Sequence, residues 1–104
     1  MSDKKPTAGW TVTYSTQAEK QFKAMPEKIR EKMTVLAKEI SVSGPIRRNW
    51  HNFGGLKGKG LPDDAYHCHL KKGNPTYVSC WYIVNKKLKN VKVFYVGTHE
   101  NAPY

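Results

Sequence analysis

The stretch Ala65-Tyr66-His67-Cys68-His69-Leu70-Lys71, "AYHCHLK", decides how this chain folds. Apolar and polar side chains alternate along it, the period of a β-strand. Tyr66, Cys68 and Leu70 then share one face; His67, His69 and Lys71 share the other. The apolar trio requires a cover. The second face is left open, its consecutive members about 6.5–7 Å apart, a spacing that a phosphodiester and its ribose can bridge.

The cover is written upstream. Residues 10–14, Trp-Thr-Val-Thr-Tyr, alternate and read as a first strand. Thr16-Gln17-Ala18-Glu19 fits a capping box, and Ala18, Phe22 and Met25 follow on one helical face. Pro26 interrupts and suits the first turn of a second helix. Ile29, Met33, Leu36, Ala37 and Ile40 continue at helical spacing over about 26–41, until Ser43-Gly44-Pro45 ends the run. Two helices joined so closely form a hairpin.

Downstream, Pro45 to Asp64 lacks periodicity and, with Gly44 just before it, brings together five glycines with Arg47, Arg48, Lys57 and Lys59. Strands are expected at 65–71, 76–84 and 91–97, joined by the turns Gly73-Asn74-Pro75 and 85–90. Short turns make antiparallel neighbours. The predicted fold is therefore α+β, in the order β-α-α-β-β-β, with the helical hairpin packed on one face of a small, mostly antiparallel twisted sheet. If Lys71 pairs near Tyr77, Cys68 falls opposite or nearly opposite Cys80. That register predicts two neighbouring core thiols; a one-residue slip separates their faces.

Composition bounds the function. The 104 residues carry 18 Lys/Arg against 8 Asp/Glu, a net charge of +10. A small domain this basic favours a polyanionic partner, although charge kept for solubility is the plainer reading. Two cysteines, Cys68 and Cys80, are too few for a secreted disulfide scaffold, so a cytoplasmic location is expected. No apolar run approaches a membrane span. Polar residues 1–8 are expected to form a flexible arm, and 9–104 a single domain.

Three chemistries suit the histidines. A metal site built on His67 and His69 needs a third ligand, which His51 or His99 can offer, but no carboxylate is well placed and Lys71 and Lys72 oppose a cation. Acid–base cleavage of RNA by its own 2′-hydroxyl needs a proton acceptor, a proton donor and cations around the phosphorane. Imidazoles suit the first two roles and lysine or arginine the third, with no cofactor. The candidates are His67, His69, His99 and Tyr104. Binding without chemistry would use Trp50, Phe53, Tyr66, Tyr77, Trp81, Tyr82 and Tyr95 as a stacking surface, yet aromatics at strand spacing pack in cores more often. His51, alone in a glycine-rich loop, reads first as a solvated loop residue.

Several short motifs in this order resemble the RelE/ParE superfamily of toxins from toxin–antitoxin pairs. Leu56-Lys57-Gly58 is similar to the family's "L-[KR]-G". Asp64-Ala65-Tyr66-His67-Cys68-His69-Leu70-Lys71 resembles its next strand, where RelE carries lysines at the positions of His67 and His69. Val96-Gly97-Thr98-His99 is similar to the "V-G-x-[RH]" end of its last strand, in the form of the YafQ-like branch. Asn101-Ala102-Pro103-Tyr104 resembles its terminal aromatic. The resemblance implies a ribosome-dependent, metal-independent mRNA endonuclease acting in the A site beside rRNA, and an antitoxin partner. It implies proton transfer at His99, a stacking or orienting Tyr104, His67 and His69 at the basic strand positions, and phosphate contact by Lys71. Val78 stands where RelE has an arginine, so transition-state charge falls to Lys71 or to Arg47 and Arg48; Lys57 and Lys59 add basic contacts. Another branch has a catalytic histidine just before the "L-x-G" segment; His51 lies a few residues ahead of that place. A ParE-like DNA gyrase inhibitor and a non-catalytic RNA-binding module are the alternatives.

Overall fold

The computed structural model describes residues 9–104; the expected arm at 1–8 lies outside the described residues. The order is β1 (Thr11–Tyr14), α1 (Thr16–Ala24), α2 (Glu27–Ser43), β2 (Gly54–Leu56), β3 (Ala65–Lys71), β4 (Tyr77–Asn85) and β5 (Asn90–Thr98), then a 3-10 turn at His99–Asn101. The strands lie in the order β1-β5-β4-β3-β2. The last three form the expected antiparallel meander, and β1 adds parallel to β5. The α+β fold is as read from the sequence, with one strand more. That strand, β2, comes from the aperiodic segment: Gly54, Gly55 and Leu56 pair with His67, Tyr66 and Ala65. Two glycines carry no strand preference. The edge of β3 supplies what their sequence lacks.

Local chemistry sets the helices. The N-cap of α1 is Ser15 rather than Thr16: its Oγ accepts the Ala18 N–H at 3.0 Å. Ser15 is the last extended residue leaving β1, so the orphan N–H groups fall to its hydroxyl and the expected capping box does not form. Met25 ends α1 in extended geometry (ψ 153°), as a residue before proline must. Pro26 then starts α2, which buries Ile29, Met33, Leu36 and Ile40 on the predicted face. It runs two residues past the expected end, to Ser43, and Gly44, with a φ of 99°, closes it.

Two cores result, one on each face of the sheet. Under the helices lie Ile29, Met33, Leu36, Ile40, Cys68, Leu70, Trp81, Val91, Val93 and Val96. The Trp81 indole donates to the Pro45 carbonyl at 3.0 Å and so ties the loop after α2 to the sheet. On the other face Leu56, Ala65, Val78, Cys80 and Tyr95 form a smaller cluster, with Leu61 and Ala102 against it. The open face of the prediction is thus partly covered by loop and tail.

Register corrects the thiol pair. Lys71 does oppose Tyr77, but a shift between His69 and Lys71 places Cys68 opposite Ser79 and Cys80 opposite His67. Cys68 packs under the helices and Cys80 on the far face. Both are free and buried. Burial pushes the Cys68 thiol up, and the Cys80 thiol up to about 12. The same bulge breaks the alternation beyond His69, so Lys71 is paired with a residue of the helix-side face and leaves the histidine row.

Candidate active site

His67 and His69 lie on β3, on the face away from the helices, each half-buried. Their floor is apolar: Cys80 sits opposite His67 and Val78 opposite His69. Both imidazoles are held below their ordinary pKa. For His67 burial is the cause, opposed by its bond to the Gly54 carbonyl and aided by His99. For His69 burial again leads, followed by His99, His51, His67 and Lys72. Neutral imidazole therefore dominates at both positions near pH 7. His67 Nδ1 donates to the Gly54 carbonyl at 3.1 Å, which leaves Nε2 as its free lone pair.

The tail brings the remaining groups. Gly97 ends the buried part of β5, where the Tyr95 ring lies so close that an added Cβ would stand 2.7 Å from its hydroxyl oxygen. That hydroxyl donates to the Thr98 carbonyl at 2.7 Å. The His99 N–H donates to the Thr76 carbonyl at 2.8 Å, and the 3-10 turn follows. His99 is thereby delivered to the β3 histidines, its ring 5.6 Å from that of His69 between centroids. Tyr104 folds back over the same end, 4.6 Å from His67 and 5.8 Å from His99. Burial pushes its phenol up to about 12, so it is a hydrogen-bond donor rather than a base at neutral pH. A cleft of about 360 Å³ opens beside this group, lined by His69, Asn74, Thr76, His99 and Glu100.

Of the predicted residues, His67, His69, His99 and Tyr104 thus meet at one end of the sheet. His51, read first as a solvated loop residue, is exposed but joins them, 5.7 Å from His69 between ring centroids. Its carbonyl accepts the His69 N–H at 2.7 Å. The basic residues disperse. Arg47 is committed to Glu39 at 3.2 Å; that carboxylate also accepts from Asn49 and Trp50. The Trp50 indole, with Asn49 and Arg47, holds Glu39 below the usual carboxylate range. Arg48 stays exposed on a cleft with Phe53, Gly54 and Tyr66. Lys57 lines a different cleft, with Asp63 and Asp64. Lys59 is exposed beside it in sequence. Lys72, not Lys71, is the lysine whose charge reaches His69.

The aromatic stacking surface is largely used in packing: Phe53 stacks on Tyr66 at 5.6 Å and leans on buried Trp81. Among the described residues, no group of three or more His, Cys, Asp or Glu side chains is placed to hold a metal ion, and no helix is long and apolar enough to cross a membrane. Sequence reasoning missed Asn52, whose side-chain nitrogen lies 3.3 Å from His69 Nε2. Its only signal was adjacency to His51.

No protein-family model matches the chain, and no curated protein sequence does. Solved structures do. The isolated Escherichia coli RelE toxin is similar with a TM-score of 0.66 at 19% identity, over 90% of this chain and 88% of that one. A YoeB dimer from Staphylococcus aureus gives 0.66 at 20%, over 88% and 99%. The archaeal RelE–RelB complex from Pyrococcus horikoshii gives 0.62 at 19%, over 90% and 99%. These likenesses establish a RelE-like fold for this chain.

Proposed function

We propose that this protein is the toxin of a toxin–antitoxin pair, a metal-independent endoribonuclease that cuts mRNA on the ribosome. One observation carries the reading: His67, His69, His99 and Tyr104 come from two separate parts of the chain to one end of the sheet, with ring centroids 4.6–5.8 Å apart. A pure binder has no need of titrating groups gathered at one point, and this is what disfavours a gyrase-inhibitor reading. The solved relatives support the toxin role, and the archaeal one is a complex named for both RelE and RelB, which supports an antitoxin partner.

In the reaction the 2′-hydroxyl loses its proton to an imidazole and its oxygen bonds to phosphorus. The bond from phosphorus to the 5′ oxygen breaks, and that oxygen takes a proton from a second imidazole. The products are a 2′,3′-cyclic phosphate and a free 5′-hydroxyl. Half-buried imidazoles kept neutral near pH 7 suit the accepting role; exposed His99 suits the donating one. Lys72, whose charge reaches His69, supplies positive charge for the phosphorane. Tyr104 packs across two of the imidazoles and can stack on a base.

Purified protein, mRNA and ribosomes in EDTA provide the test. Cleavage with cyclic-phosphate 3′ ends is expected. His99→Ala should lower the rate by about 10²–10⁴-fold with an unchanged thermal midpoint. A variant that cuts like the parent removes His99 from the chemistry. Intact mRNA with DNA damage in cells would favour gyrase as the target, and salt-sensitive RNA binding without cutting would favour a binding module.

A further inference from the structure

Asn52 has an unusual backbone. Its φ is 55°, in the left-handed region that asparagine tolerates better than most residues. The turn it makes brings two polar contacts onto one strand residue. The carbonyl of His51 receives the backbone N–H of His69 at 2.7 Å, and the Asn52 amide nitrogen approaches His69 Nε2 at 3.3 Å. An amide –NH₂ only donates. Nε2 is therefore the acceptor in this contact, and a neutral imidazole that accepts at Nε2 carries its proton on Nδ1. Nδ1 is the buried ring nitrogen, and it has no hydrogen-bond partner among the described residues. The contact at Nε2 is on the exposed side.

We propose that Asn52 is a positioning residue which fixes His69 as the Nδ1–H tautomer, so that the outward nitrogen Nε2 meets RNA as a lone pair. The assignment rests on the endonuclease reading, and it divides the roles that reading leaves open. His69 is the proton acceptor. The 2′-hydroxyl takes the place of the Asn52 amide as hydrogen-bond donor to Nε2, then passes its proton there as its oxygen bonds to phosphorus. The proton for the departing 5′ oxygen comes from His99. His67, whose Nδ1 is engaged by the Gly54 carbonyl, also presents a lone pair at Nε2 and is an acceptor of the same kind.

The neighbours of His69 make this control necessary. His51 faces it from the loop, His99 and Glu100 from the 3-10 turn, Lys72 from the turn after β3, and His67 from its own strand. Four of these five are cationic or become so on protonation, and Glu100 does not figure among the charges acting on His69. A protonated His69 would sit among like charges. A neutral one, with its tautomer set by an uncharged donor, adds none.

The isostere Asn52→Asp tests this directly. It keeps the shape and tolerates the same backbone, but its carboxylate accepts where the amide donated. In the free protein, ¹⁵N spectra of the histidine rings should show His69 as Nδ1–H in the parent. In Asn52→Asp they should show a proton on Nε2 and a titration midpoint raised by about 1 pH unit or more. The acidic limb of the cleavage profile should move up by the same amount. Asn52→Gly, which relieves the backbone and removes the donor, should give a mixture of tautomers while the fold is retained. A parent His69 protonated on Nε2 overturns the inference whether or not RNA is cut. So does an Asn52→Asp variant with the parent's pH profile. The expected tautomers in a protein that cuts no RNA would instead support the positioning role and overturn the endonuclease reading.

Discussion

Tyr66, Cys68 and Leu70 point from β3 into a core roofed by two helices. Ala65, His67 and His69 point from the same strand toward a thinner cluster edged by a loop and the chain's tail. Under the helices, Trp81, Val91, Val93 and Met33 are fully shielded from water. On the other face the imidazoles are only half-buried, which is enough to depress their pKa but leaves them within reach of solvent. One face supplies stability through apolar area; the other supplies titrating groups in a partly desolvated setting. A single strand serves both because its side chains alternate.

If the faces divide the work in this way, variants on them should show opposite phenotypes. His99→Ala should raise the reaction barrier by roughly 3–5 kcal/mol, the equivalent of 10²–10⁴-fold, and shift stability by no more than about 0.5 kcal/mol, since the residue is exposed. Single-turnover cleavage and urea melts on the same preparation check both. Trp81→Ala should do the reverse, losing about 3–5 kcal/mol of stability because a fully buried indole and its bond to Pro45 both go. Residual folded protein should still cut RNA. A Trp81→Ala protein that is stable but inactive would erase the distinction.

Acid should find the histidine face first. Burial sets His67 and His69 below the ordinary imidazole value of 6.5. Between their folded pKa and 6.5 the unfolded chain binds more protons, so stability is fully present above about pH 6.5 and declines as pH falls through that window. The urea midpoint is expected to be lower at pH 5 than at pH 7. In His67→Gln/His69→Gln that difference should shrink; an unchanged difference would place the acid sensitivity elsewhere. The smallest effect should come from Ser79, a buried hydroxyl opposite Cys68 on the helix side of the sheet, with no hydrogen-bond partner among the described residues. Ser79→Ala removes an unsatisfied group at little cost in packing, so stability should stay level or rise by up to about 1 kcal/mol. A clear loss would mean that the hydroxyl has a partner in solution.

Much of the fold was legible because its signals are local. Alternation in 65–71, the spacing of Ile29, Met33, Leu36 and Ile40, and the breaks at Pro26 and Gly44 each act within a few residues. What escaped was conditional on neighbours. Gly54-Gly55-Leu56 is a strand only because β3 has a free edge. Arg47 reads as a phosphate contact until α2 presents Glu39 to it. Lys71 shares a face with the histidines under strict alternation and loses it to the bulge, which no residue type at 69–71 announces. His51 looked solitary because its partner, His69, is far from it in sequence.

By itself, then, the chain determined both helices and four of its five strands, the sidedness of β3 up to His69 and the surplus of positive charge, since backbone geometry and side-chain polarity enforce these over short range. Only the folded molecule decided which cations stand near the imidazoles, which faces Cys68 and Cys80 occupy, and how the tail returns Tyr104 to His67. The reason is pairing between distant segments: a one-residue change of register moves a side chain to the other side of the sheet, and no local preference fixes that choice.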